Sequence, residues 1–85
     1  MILKITYPYK DSLATLQLRS IYIQTDDQDL IEHLKATKNP IDIGVILSEN
    51  EEKFKMLENA KEDLEIVIDE VLANPDLRLH LLGDN

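Results

Sequence analysis

The sequence predicts an α+β domain: a small antiparallel sheet, made of an N-terminal β-hairpin plus a third strand, packed by one short and one long amphipathic helix. Three observations carry that expectation. Apolar residues alternate at the start of the chain, and Lys10-Asp11-Ser12 supplies turn chemistry between two β-rich runs. Residues 49–73 then place their apolar side chains at helical spacing. The 85 residues make a single domain, 1–85, and a hydrophobic share of 44% predicts a packed core rather than disorder.

In the first strand Leu3, Ile5, Tyr7 and Tyr9 alternate with Lys4, Thr6 and Lys10. Pro8 has no N–H to give a ladder, so the strand ends there or lies at a sheet edge. The second strand, residues 15–24, is rich in β-formers, but its alternation slips around Ser20. Leu16 and Leu18 share a face with Tyr22 and not with Ile21 and Ile23, which predicts a bulge or a strand buried on both faces. Thr25-Asp26-Asp27-Gln28 fits a capping box and opens a helix over 26–37 with Leu30, Ile31 and Leu34 inward; Asn39-Pro40 closes it.

Residues 41–47 read as the third strand, because branched residues recur at period two and Gly44 disfavours a helix. The alternative is that Asn39-Pro40 opens one long helix running to residue 73. Ser48-Glu49-Asn50-Glu51, a second capping box, places the start of the long helix at 49. Its apolar side holds Phe54, Leu57, Ala60, Leu64, Val67, Ile68, Val71 and Leu72, and Asn74-Pro75-Asp76 stops it. Residues 76–82 fit a fourth strand, with Leu77, Leu79 and Leu81 alternating, or a short helix closed by Gly83.

The charge is lopsided. Residues 1–40 hold five basic and five acidic side chains, whereas residues 41–85 hold four basic and twelve acidic, so the second half carries the whole net charge of −8. A one-signed surface repels nucleic acid and anionic membranes and attracts basic surfaces, so neither nucleic acid nor membrane is expected as a partner. The absence of cysteine excludes disulfides and thiolate chemistry and fits a reducing cytoplasm. With neither a signal-like N-terminus nor a long apolar run, a cytoplasmic protein is expected. No cofactor or metal is expected either. His33 and His80 lie far apart, no calcium-loop spacing is present, and Gly44 and Gly83 stand outside any glycine-rich loop.

Within the expected long helix, Glu51, Glu58, Glu62, Glu65 and Asp69 form one narrow acidic stripe. Like charges at these spacings destabilise an isolated helix by about 0.2–0.5 kcal/mol per pair. Acids in such a row are ordinarily a solvated face; the sharper reading is a surface complementary to a basic partner, with Ile66 as an apolar anchor ringed by charge. Carboxylates along one exposed face lack the distinct environments that separate an acid from a base, so catalysis is not expected. The sequence thus predicts a small acidic protein-binding protein, an inhibitor or regulator. It would block the basic, nucleic-acid-binding surface of a partner such as a nucleic-acid-processing enzyme. Size and charge alone supply an analogy with counter-defence proteins of phages and mobile elements. The alternative is a homodimer or larger assembly, associating through a helix stripe or a flat β-edge at residues 2–7.

Overall fold

Ile2–Lys10 form β1 and Leu16–Gln24 return as β2. The computed structural model describes residues 1–11 and 13–71. Asp11 organises the turn. Its carboxylate accepts the Leu13 and Thr15 backbone N–H groups, both at 2.9 Å, and the Gln17 side-chain amide at 2.8 Å. Ala14 reverses the chain in the left-handed region, φ 61°. The register runs unbroken from Ile2↔Gln24 to Lys10↔Leu16, so the expected bulge at Ser20 is absent. Nor is β2 buried on both faces, because Leu16 and Leu18 are 60% and 73% exposed. The slip in alternation instead records apolar residues on the open face of the sheet.

The first helix forms much as predicted, but its cap differs. α1 spans Gln28–Ala36, and Asp27 rather than Thr25 is the N-cap, accepting the Leu30 N–H at 2.9 Å. Buried Thr25 accepts the Asp27 N–H and donates its hydroxyl to the Lys53 carbonyl at 2.6 Å, tying the end of β2 to a later segment.

Residues 41–47 are not a strand. Asn39 caps the Ile41 and Asp42 N–H groups, Pro40 takes the first helical position, and α2 spans Pro40–Glu49. Pro40, Ile43, Gly44 and Leu47 are spaced by three, one and three, so this run satisfies a helical stripe as well as the alternation. The cap decides between them, and burial of the stripe overrides the propensity cost of Gly44, about 1 kcal/mol.

The predicted long helix over 49–73 is likewise absent. Ser48 does not cap a new helix; its hydroxyl donates back to the Val45 carbonyl, and Asn50 closes α2 by donating its side-chain amide to the Ile46 carbonyl. A 3-10 turn, Glu51–Lys53, leads into β3, Lys55–Leu57, and after a crossover into β4, Leu64–Val67. Residues 76–82 lie outside the described residues.

The sheet is therefore mixed and four-stranded, in the order β3-β2-β1-β4, not a purely antiparallel one with a third strand at 41–47. β3 pairs antiparallel with the end of β2, Tyr22↔Leu57 to Gln24↔Lys55, and β4 pairs parallel with β1, Leu3↔Leu64 to Thr6↔Val67. Because β1 has a neighbour on each side, residues 2–7 are not the edge foreseen from the sequence. Pro8 explains where β4 stops. The Thr6 carbonyl accepts the Ile68 N–H at 2.8 Å, so even-numbered residues of β1 aim their main chain at β4. At Pro8 the next N–H in that direction is missing, and the parallel ladder ends.

Both helices contribute to the core on one face. Leu3, Ile5 and Tyr7 of β1, Ile23 of β2, and Ile66 and Ile68 from β4 and its end meet Leu30, Ile31 and Leu34 of α1 and Ile43, Ile46 and Leu47 of α2. Phe54, Ile21, Ile41, Leu64 and Tyr9 pack around them. The class is α+β, and the opposite face of the sheet, including Leu16, Leu18 and Val67, is open.

Candidate functional site

The six residues singled out in the sequence do not share a face, since the helix that would align them does not exist. Glu51 opens the 3-10 turn, Glu58 follows β3, Glu62 lies half-buried in the crossover, and Asp69 follows β4. Glu65 sits on the open face of β4, where its carboxylate lies 3.7 Å from the Lys4 ammonium and accepts the Thr6 hydroxyl at 3.1 Å. Ile66 points the other way. At 7% exposure it belongs to the core, so it is not available as an anchor for a partner.

A different arrangement replaces the stripe. The hairpin, residues 1–24, carries three basic side chains and one acidic, whereas residues 25–71 carry fourteen acidic and five basic. The fold gathers part of this acidic excess at one end of the sheet. Asp26 pairs with the N-terminal ammonium at 3.1 Å, the Asp63 carboxylate accepts the Ile2 N–H at 2.7 Å, and the 3-10 turn is held to Thr25 through the Lys53 carbonyl. Asp26, Asp27, Glu51, Glu52 and Asp63 thus gather where β1 begins and β2 ends. The crossover with Glu58 and Glu62 also starts and finishes at this end, because Leu57 lies opposite Tyr22 and Asp63 donates to the Ile2 carbonyl.

Most of this charge is uncompensated. Among the described residues the acids in ion pairs are Asp26, Glu32 with Lys35 at 3.5 Å, and Glu65. Asp26 and Asp63 are held here by long-range contacts, not by a helix cap or a helical stripe. Their roles depend on contacts with Met1 and Ile2, which no local pattern announces.

At the far end, Lys10 and Arg19 flank the hairpin, and the Arg19 guanidinium lies 5.7 Å from the centre of the Tyr9 ring. The Asp11 carboxyl is held below the usual carboxylate range, chiefly by the Thr15 N–H, with burial opposing and Leu13 and Gln17 assisting. A shallow open groove beside β4 is lined by Lys35, Leu64, Glu65, Ile66 and Val67. Among the described residues no trio of acidic or histidine side chains converges where it could hold a metal ion, and no helix is long and apolar enough to cross a membrane. His80 lies outside the described residues.

No protein-family model, curated protein or solved structure matches the chain.

Proposed function

We propose that this chain is a small non-catalytic binding protein, an inhibitor or regulator whose acidic end occupies a basic surface of another protein. The observation that carries the reading is the segregation of charge. Fourteen acidic side chains stand against five basic ones over residues 25–71, twelve of the acids are exposed, and few are paired. Charge concentrated this way costs folding free energy through self-repulsion and gains it back only against an opposite field. A nucleic-acid-binding face is such a field, so the carboxylates would take the place of phosphates and steer association. Glu51, Glu58 and Glu62 carry the interaction, joined by Glu52. Asp69 follows β4 toward the other end of the sheet and, like Ile66, has no part in it.

The test uses the intact chain as bait in a lysate at low and at high salt, beside a Glu58→Lys/Glu62→Lys variant with a native circular dichroism spectrum. A basic protein captured by the original chain at low salt, released at high salt and missed by the variant supports the reading. Capture that survives the charge reversal, or no capture at all, overturns it.

A further inference from the structure

The upper half of β2 is an exposed edge of unusual character. Even-numbered β1 residues aim their main chain at β4, so odd-numbered ones aim at β2, and their partners Gln17, Arg19, Ile21 and Ile23 aim back. The N–H and C=O groups of Leu16, Leu18 and Ser20 therefore point away from β1. β3 covers that edge only at Tyr22–Gln24, so among the described residues these three have no strand beside them. Their side chains stand on the open face, where Leu16 and Leu18 are the most exposed leucines of the sheet. Soluble proteins normally blunt such an edge with charge, proline or a bulge, and this one has none of these on its open face.

We propose that this edge binds a second copy of the same chain, β2 against β2 in antiparallel register about Leu18. The edge is complementary to itself. A two-fold axis at Leu18 sets its outward N–H and C=O against those of the other Leu18, and Leu16 against Ser20 of the second copy, giving about six backbone hydrogen bonds. Leu18 then packs on its counterpart. On the helix side Arg19 falls opposite Gln17, so no like charges face one another.

Charge selects this occupant. In a chain of net charge −8 the side chains of the hairpin sum to +2. Antiparallel pairing about Leu18 points the two acidic ends in opposite directions. Gln24 lies six residues from the axis in each copy, so at ~3.3 Å per residue the ends are ~40 Å apart. That is several times the Debye length of ~8 Å at physiological salt, and the mutual repulsion is screened. The dimer presents an acidic end at each extremity; its formation does not depend on what those ends bind.

Sedimentation equilibrium over a wide concentration range tests the assembly. The chain should approach twice its 9.8 kDa mass, and Leu18→Lys, with an unchanged circular dichroism spectrum, should raise the dimer Kd at least about tenfold. Because the chain has no cysteine, the register can be read independently. Under mild oxidation Leu18→Cys should form a linked dimer, and Leu16→Cys mixed with Ser20→Cys should form the heterodimer, while the exposed helix position Val45→Cys should not link. A chain that stays monomeric, whatever covers its Leu18 amide, overturns the proposal. So does a dimer indifferent to Leu18→Lys, or equal cross-linking at Val45→Cys.

Discussion

Ile66 and Val67 are adjacent in sequence and opposite in environment, and replacing each by alanine tests the strand β4 directly. Ile66 is 7% exposed and packs in the core, whereas Val67 is 60% exposed on the open face. Ile66→Ala removes three carbons from a buried site; at about 0.8 kcal/mol per buried CH2 the transfer cost is roughly 2.4 kcal/mol. The cavity left behind adds to this, and β4 at the sheet edge can partly collapse, so the total falls within about 2–4 kcal/mol. Val67→Ala deletes mostly solvated surface and should stay within about 0.5 kcal/mol. Urea unfolding followed by circular dichroism reads both. With a slope of about 2 kcal/mol per M, Ile66→Ala lowers the midpoint by roughly 1–2 M and Val67→Ala hardly moves it. Equal losses at the two positions, or the larger loss at Val67, would refute the alternation of β4 and with it the parallel pairing to β1. The same pair bears on function, because an exposed apolar anchor at Ile66 would weaken partner capture without touching stability.

Three further outcomes follow from local geometry. Asn39→Ala removes the cap of the Ile41 and Asp42 N–H groups and should cost about 1 kcal/mol in urea unfolding, with Asn39→Asp recovering most of it. Ala14→Gly relieves the left-handed backbone at φ 61°, and after allowing for the looser unfolded chain it should raise stability by about 0.5–1 kcal/mol in the same assay. The Asp11 carboxyl has a lowered folded value, so its contribution to the hairpin is present above its ordinary value of 3.8 and is lost as pH falls through the folded one. An NMR titration should show the Leu13 and Thr15 amides losing their anchored shifts in acid, and Asp11→Asn should abolish that acid-linked step.

The hairpin and α1 were legible because their signals are local. The turn acid at Asp11, the alternation of Leu3, Ile5 and Tyr7, and the apolar stripe of Leu30, Ile31 and Leu34 all lie within a few residues of what they control. The charge imbalance was legible for the same reason, being a matter of counting. Its arrangement was not. Phe54, Leu57, Ala60 and Leu64 fall at helical spacing, yet Leu57 belongs to one edge of the sheet and Leu64 to the other. A contrary signal was present. Leu64, Ile66 and Ile68 alternate with Glu65 and Asp69, and a helix here would have stacked like charges at Glu58, Glu62, Glu65 and Asp69.

The sequence by itself determined the hairpin, the first helix and the excess of acid in the second half of the chain. Tertiary structure decided the rest, because short apolar runs satisfy two periods and only a partner surface breaks the tie. Ile41–Leu47 is a helix since the Asn39 cap and the sheet face favour one stripe. Leu64–Val67 is a strand since β1, sixty-one residues earlier at Leu3, offers it an open edge. Pairings that distant leave no mark on a local pattern, and they set which acids gather at one end and which leucines stand exposed at the other.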